Sequence, residues 1–277
     1  MTEKPLKGMW ALILGASSGF GGATARALAA AGMNIAGVHL DLRSTLPAAK
    51  AVIADIEAAG SQALFFNTNA ADPERRAKVL DGIESAMASA GGEHRIHVFM
   101  HSLAFGSLLP FIADTPEEAV SQAQMEMTLN VMANSLVYWV QDMVRRNLLG
   151  RGSRIFSMSS EGSTKAIPHY GAVSAAKAVL ETHTRQLALE LGPRGILANC
   201  IQAGITDTPA LRKIPGNERM IEASLQRNPS GRLTMTEDVA ATIVALSHPS
   251  VRFVSGSSIF VDGGEAAVLR FEEENPA

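Results

Sequence analysis

Cysteine occurs once in 277 residues, at Cys200, so no internal disulfide can form and the chain fits a reducing, cytoplasmic setting. Its apolar neighbours in "ILANCIQAG" read as those of a buried, inert thiol rather than a nucleophile. No apolar run reaches the roughly 20 residues that a membrane span needs. The opening "MTEKPLKGMW" is charged and has no apolar core, which argues against a secretory signal. Histidines, the cysteine and carboxylates nowhere gather at metal-ligand spacing. Neither sign of charge dominates: 24 Lys and Arg stand against 27 Asp and Glu, so no global field recruits nucleic acid or an anionic membrane. Tyrosine is scarce too, with only Tyr138 and Tyr170.

What is present is an alternation. Short apolar runs read as buried strands at 10–15, 34–40, 62–68, 96–102, 153–159, 196–202 and 257–263. Between them lie helical patterns at 21–31, 46–59, 73–89 and 174–191, and a long one from about Pro116 to Asn147. Strands separated by helices are the signature of right-handed βαβ units. Strands that are apolar throughout argue for a sheet covered on both faces. The expectation is α/β: a single doubly wound, Rossmann-type domain over 1–277 with a parallel sheet of about seven strands. The stretch from about Gly204 to Arg232 reads as a long irregular loop over a site, a substrate-binding segment. The acidic end "EEENPA" reads as a frayed tail. "LVYWV" in the long helix suits either a subunit interface or the core.

The first strand runs into "LGASSGFGGATARALAA". Gly15, Gly19 and Gly21 make G-x3-G-x-G between a strand and a helix. Glycines there permit a tight turn and close approach of backbone to a pyrophosphate, and the helix N-terminus adds partial positive charge. This spacing resembles that of the short-chain dehydrogenase/reductase superfamily, and the resemblance extends over nearly the whole chain. It implies that Gly15, Ser17, Ser18, Gly19, Phe20 and Gly21 cradle a dinucleotide. By the same resemblance Asn69 and Ala70 in "NTNAAD" pack on adenine, and Asn130 is the family's helix asparagine. "SMSSEG" (157–162) carries the active-site serine, and Gly204, Ile205 and Thr208 in "IQAGITDT" hold the nicotinamide amide.

Tyr170 and Lys177 stand seven apart in "HYGAVSAAKAVLE", where most of that superfamily has four. The wider spacing resembles the bacterial enoyl-acyl-carrier-protein reductases. "HSLAFG" (101–106), with Ser102, Leu103 and Ala104 at the cofactor, is similar to the segment after their fourth strand. The 204–233 segment is most similar to their NADPH-using type. Seven helical residues return to within about 20° of one face, roughly 10.5 Å along the axis, so both side chains can serve one cofactor. The resemblance implies that Lys177 holds the nicotinamide ribose and Tyr170 points at substrate oxygen. A nearby ammonium would also lower the tyrosine pKa. Ser160, ten residues before Tyr170, is the favoured serine, with Ser159 second.

After the second strand the chain reads "VHLDLRST". An acid here binds the adenosine ribose hydroxyls and repels a 2′-phosphate, whereas an arginine accommodates it. Asp41 and Arg43 pull in opposite directions. His39 stands where NAD-using members place aspartate, so NADPH is favoured over NADH, with Arg43 and His39 as phosphate partners. The implied activity is reduction of the 2,3 double bond of an enoyl thioester, and the alternative is reduction of 3-ketoacyl or other ketones by the same groups. The implied partner is an acyl chain on an acidic carrier protein, which Arg212, Lys213, Arg219, Arg227 and Arg232 would meet. Homotetramers or homodimers are typical of the family.

Overall fold

The computed structural model describes residues 4–91 and 94–268, and the acidic end "EEENPA" lies outside them. Seven strands form one parallel sheet in the order β3-β2-β1-β4-β5-β6-β7. They are β1 Trp10–Leu14, β2 Asn34–His39, β3 Ala63–Asn67, β4 Ile96–His101, β5 Arg154–Ser160, β6 Leu197–Ala203 and β7 Ser258–Val261. Eight α-helices lie among the described residues: α1 Gly19–Ala30, α2 Leu46–Ala58, α3 Pro73–Ala90, α4 Gln122–Leu129, α5 Ser135–Arg145, α6 Gly171–Leu191, α7 Asn217–Arg227 and α8 Thr236–Ser247. No helix among the described residues is long and apolar enough to cross a membrane.

Alternate residues of β1 serve opposite faces. Trp10, Leu12 and Leu14 join one core with Leu80 of α3, Trp139 of α5 and Leu180 of α6. Ala11 and Ile13 join the other with Leu28 of α1, Ile56 of α2 and Ile243 of α8. Helices on both faces are why β1 is apolar at every position.

The long helix anticipated from Pro116 to Asn147 is shorter and broken. Residues 115–118 form a turn, with Glu118 N–H donating to Thr115 O at 3.2 Å. The helix starts only where Ser121 and Gln124 cap each other reciprocally. A π turn at Asn130–Asn134 then separates α4 from α5, and Ser135 Oγ donates into it at Val131 O, 2.8 Å. Of "LVYWV", Leu136, Trp139 and Val140 are core residues, whereas Tyr138 is exposed. The 204–232 stretch is not irregular throughout. It holds a 3-10 turn at Leu211–Lys213 and α7, whose only fully buried residue is Ser224. Helix α8 was not anticipated.

The strand order reverses direction between β1 and β4. Loops leaving these strands diverge to opposite faces and open a crevice at their C-terminal ends, where open α/β sheets bind ligands. The glycine turn fills the bottom of that crevice. A Cβ on Gly21 would collide with the Gly15 carbonyl oxygen, whereas one on Gly22 would make ordinary contacts with Val52 at 3.4 Å and with the Ala16 oxygen and Ser17 carbonyl carbon at 3.5 Å. Gly21→Ala is therefore expected to destabilise the protein by roughly 1–3 kcal/mol. Gly22→Ala should be neutral or stabilising by up to about 1 kcal/mol through helix propensity. Thermal melting of both variants checks the pair; equal losses would contradict the close approach.

Candidate active site

Backbone bonds stitch three loops together at the crevice. Gly15 and Ala16 N–H both donate to Val38 O at the end of β2, at 2.8 and 3.1 Å, and Ser102 N–H donates to Leu14 O at 3.0 Å. Gly15, at φ +85°, leaves no room for a Cβ beside the Ser102 carbonyl. Gly19 opens α1 against the Thr208 side chain. Helix α1 has no acidic residue in its first turn, and Ser18, its N-cap, makes no side-chain cap. Its free N–H groups and positive dipole end thus face the crevice unneutralised, a fitting receptor for a pyrophosphate. By contrast, Asp72 caps α3 through Arg75 N–H at 2.9 Å.

Tyr170 is the N-cap of α6 rather than a residue of its first turn. The ring is therefore aimed by the turn before the helix, not by the helical face argued from spacing. His169 holds a left-handed φ of +61° there, and Tyr170 N–H donates to Ile167 O at 3.1 Å. Gly162 lies so close that an added Cβ would stand 2.8 Å from the Tyr170 ring and 3.3 Å from Ser160 Oγ. Gly171 abuts the Phe111 ring, 2.6 Å from such a Cβ. Ser160 Oγ is buried and makes no well-formed hydrogen bond, but lies near enough to the Tyr170 phenol to act on it. Ser159 is committed elsewhere, donating to Glu181 at 2.5 Å. Of the two serines, Ser160 is thus the one with a free hydroxyl beside the phenol.

Lys177 is buried, and its Nζ donates to Met158 O of β5 at 2.6 Å. Burial lowers its pKa to about 8, against the opposing influence of Cys200 and Glu181. Tyr170 does not show the depression expected from a nearby ammonium. Burial raises its pKa, and only the Ser160 hydroxyl pulls it back. The phenol therefore keeps its proton at neutral pH and is a donor. Asn130 opens the π turn.

His101, at the end of β4, has a role that the sequence motif does not reveal. Ser135 spends its proton on Val131 O, so His101 Nε2 must donate to Ser135 Oγ, 2.8 Å away. Its Nδ1 is then unprotonated, buried and unpartnered. Burial and the charge of Lys177 hold its pKa at about 3. A neutral imidazole at the strand end braces the π turn that carries Asn130.

A glycine cradle, an uncapped helix end and a phenol–serine–lysine group on one crevice are what a nicotinamide reductase needs. The family model described as enoyl-(acyl carrier protein) reductase matches residues 15–265. The chain belongs to this family of short-chain dehydrogenase/reductases. It is 28% identical over 227 residues to an L-xylulose reductase of Bos taurus, covering 78% of this chain and 90% of the relative. An NADH-type enoyl-acyl-carrier-protein reductase of Aquifex aeolicus is 29% identical over 172 residues, 61% of this chain and 62% of that one. The angucycline C-6 ketoreductase LanV with bound NADP superposes with a TM-score of 0.81 at 26% identity, covering 94% of this chain and 96% of that one. As a member of the family the chain is an NAD(P)H-dependent oxidoreductase.

The remaining family positions fall around the same crevice. Ala70 O accepts from buried Trp139 Nε1 at 2.9 Å, and Asn69 Oδ1 accepts from Ala71 N–H at 2.9 Å, which fixes the loop after β3. Leu103 is half-buried and Ala104 exposed, whereas Ser17 and Phe20 are half-buried in and beside the glycine turn. Ile205 O accepts from Thr234 N–H at 3.2 Å, and Gly204 has Thr234 and Asp262 against it. At the end of β2, His39 Nδ1 meets Asp41 Oδ2 at 2.8 Å, while Arg43 is exposed. The phosphate pair anticipated from His39 and Arg43 is therefore not assembled, because His39 is engaged by Asp41.

A buried ammonium costs folding energy that the site requires. Its folded pKa of about 8 lies below the 10.5 of the free side chain. Below pH 8 both states are protonated and the folded state bears the whole cost. Between pH 8 and 10.5 the unfolded chain binds more protons, so stability rises with pH. Lys177→Met should therefore melt no lower than the parent at pH 7, with an advantage on the order of 3 kcal/mol at most. That advantage should shrink steadily from pH 8 to 10.5. Melting curves across this range check it, and a pH-independent difference would contradict the buried charge.

Proposed function

We propose that this reductase saturates the 2,3 double bond of an enoyl thioester. The observation that carries the reading is Tyr170 as an N-cap phenol beside the buried Ser160 hydroxyl, seven residues ahead of buried Lys177. A bound nicotinamide dinucleotide supplies the hydride, delivered to the β-carbon. Gly15, Ser17, Ser18, Gly19, Phe20 and Gly21 would hold its pyrophosphate and Lys177 its nicotinamide ribose. Asn69 and Ala70 would flank the adenine, and Gly204, Ile205 and Thr208 the carboxamide. Negative charge then collects on the thioester oxygen as an enolate. Tyr170, held protonated by burial, would give its proton to that oxygen with Ser160 seconding it, and the resulting enol would tautomerise to leave the proton on the α-carbon. Asn130 and His101 hold the π turn behind Lys177 in shape. The description of the family model and the Aquifex relative support this reading.

Ketone reduction by the same groups is the second reading, favoured by the likeness to L-xylulose reductase over most of both chains and to the ketoreductase LanV. There Tyr170 protonates the carbonyl oxygen directly. Helix α7 and its flanks, within 204–232, would cover the substrate in either case. An acidic carrier protein is proposed as the acyl donor, but with fewer contacts than the cation count suggests. Arg212 is spent on Asp207, Arg227 on Glu161 and Glu265, and Arg232 on Asp238. Among the described residues, Lys213 and Arg219 form no ion pair and are left to meet it. NADPH was favoured by the sequence through Arg43 and His39. The NADP in LanV keeps that choice open, as the NADH of the Aquifex relative keeps the other.

Purified protein is expected to oxidise a reduced nicotinamide cofactor with a trans-2-enoyl thioester at least as fast as with a 3-ketoacyl thioester. Efficient turnover of keto thioesters with none of enoyl thioesters would replace the first reading with the second. Tyr170→Phe removes only the hydroxyl, so fold and cofactor affinity should survive while turnover falls by roughly 10²-fold or more. Steady-state rates and a cofactor titration on the same preparation check both halves.

A further inference from the structure

Arg227 ends α7, and its guanidinium holds two carboxylates from distant parts of the chain. Nη2 donates to Glu265 Oε1 at 2.5 Å and to Glu161 Oε1 at 3.2 Å. Glu265 follows β7, and its side chain is 3% exposed. Glu161 follows β5, directly after Ser160, and its side chain is 16% exposed. Burial pushes the Glu161 carboxyl up, but hydrogen bonds from Lys165 and Arg227 outweigh it and hold the group below its usual value. It is therefore ionised at neutral pH and attracts both cations.

The two carboxylates differ in what else fixes them. Glu265 stands in a turn built on Asp262. Asp262 Oδ1 and Oδ2 accept from Gly264 and Ala266 N–H, each at 2.9 Å, and Asp262 O accepts from Glu265 N–H at 3.2 Å. Asn228, the residue after Arg227, donates to the same Asp262 O at 2.8 Å. The end of α7 is thus tied to the chain leaving β7 at two adjacent residues. The Glu161 carboxylate has only Lys165 and Arg227 as ion-pair partners among the described residues. Lys165 donates at 2.7 Å but lies four residues on in the same excursion, so that contact moves with the segment. Arg227 is the contact that ties Glu161 to another element. The turn so tied presses on the phenol: a Cβ on Gly162, the next residue, would stand 2.8 Å from the Tyr170 ring.

We propose that Arg227 is a positioning residue for the phenol: anchored on Glu265, it holds Glu161 and, through it, the 160–163 turn against the Tyr170 ring. This rests on the role given to Tyr170 in the proposed function. Arg227 itself touches neither substrate nor cofactor in this role. Misplacing a reacting group by about 1 Å can cost on the order of 10²-fold in rate.

The first test is kinetic, on the full-length protein with whichever thioester class the parent reduces. Glu161→Gln keeps the shape and removes the charge. It should lower kcat about tenfold or more, with KM and cofactor affinity within about threefold. Arg227→Met alone would strand Glu265 as a buried unpaired charge, so it is combined with Glu265→Gln. That double variant should lower kcat to a similar extent, and adding Glu161→Gln to it should lower kcat no further. Lys165→Ala should leave kcat within about twofold. The second test needs no substrate. With Tyr138→Phe in every protein, Tyr170 is the sole tyrosine, and its ionisation is followed by ultraviolet absorbance. Burial raises the phenol pKa in the parent, and Glu161→Gln should bring it down toward the 10.0 of the free side chain as water reaches the ring. An unchanged kcat or an unchanged phenol titration in Glu161→Gln, additive losses in the triple variant, or an equal loss in Lys165→Ala would each overturn the assignment. A parent that reduces neither thioester class would overturn the proposed function instead, and the titration would then decide the positioning role by itself.

Discussion

A charged ammonium under the end of β5 is the constraint around which this site is arranged. Lys177 is only 7% exposed, and a buried lysine stays charged only where its surroundings compensate for lost hydration. Met158 O takes one of its protons, and Glu181, one turn further along α6, adds an attractive charge. The neighbourhood is otherwise kept neutral. His101 cannot protonate there, Cys200 has its thiol pKa pushed up to about 11 by burial, and Ser157 pairs with Thr184 at 2.7 Å. The same strand end that feeds Lys177 a carbonyl also carries Ser160 two residues later. One β-strand thus sets the height of both the lysine proposed to anchor the cofactor and the hydroxyl proposed to face the substrate.

The sheet was legible because burial on both faces writes a plain signal: every strand is a short apolar run between helical stretches. All seven were placed within a residue or two at most ends. The helices were read less well, for reasons that differ. Helix α7 packs only Ser224 fully, so "NERMIEASLQR" shows too little apolar periodicity to stand out from a loop. Helix α8 places Val239, Ile243 and Leu246 at helical spacing, a short pattern that does not stand out beside the polar stretch before it. The long helix was overextended at its start because Glu117 and Glu118 are good helix formers. Only the reciprocal cap of Ser121 and Gln124 shows where the chain begins to coil. Its interruption at Asn130–Asn134 depends on Ser135 and on His101 from a different strand, a tertiary cause that local sequence does not contain.

The functional groups divide in the same way. The glycine turn and the Tyr170–Lys177 pair stand out in the sequence by residue type and spacing, and their proposed roles come from the family resemblance. Charges are another matter, since their effect depends on which partner they find. Arg212, Arg227 and Arg232 look like free cations in sequence and are consumed by Asp207, Glu161, Glu265 and Asp238 in the fold. Asp41 looks like a residue two places too late to matter, and the fold turns it inward onto His39. Tyr170 looked like a group sensitised by Lys177, yet desolvation outweighs any such influence.

The position of Tyr170 at the N-cap has a consequence for how reaction type is set. A residue inside a helix can change its separation from Lys177 only in steps of the helical repeat. A residue in the turn before the helix is placed by that turn. Here the turn is specified by His169 in a left-handed conformation, by the space left at Gly162 and by Phe111 lying across Gly171. Ser160 begins the same excursion, and Glu161, its next residue, is tied to Arg227 of α7 at 3.2 Å. The phenol, its partner serine and the helix proposed to cover the substrate are therefore positioned by one connected segment. The lysine, by contrast, is positioned by the sheet. On the proposed roles, substrate geometry would be altered through the 160–170 segment while Lys177 stays where β5 and α6 hold it, so one scaffold could serve either a carbonyl or the double bond beside it.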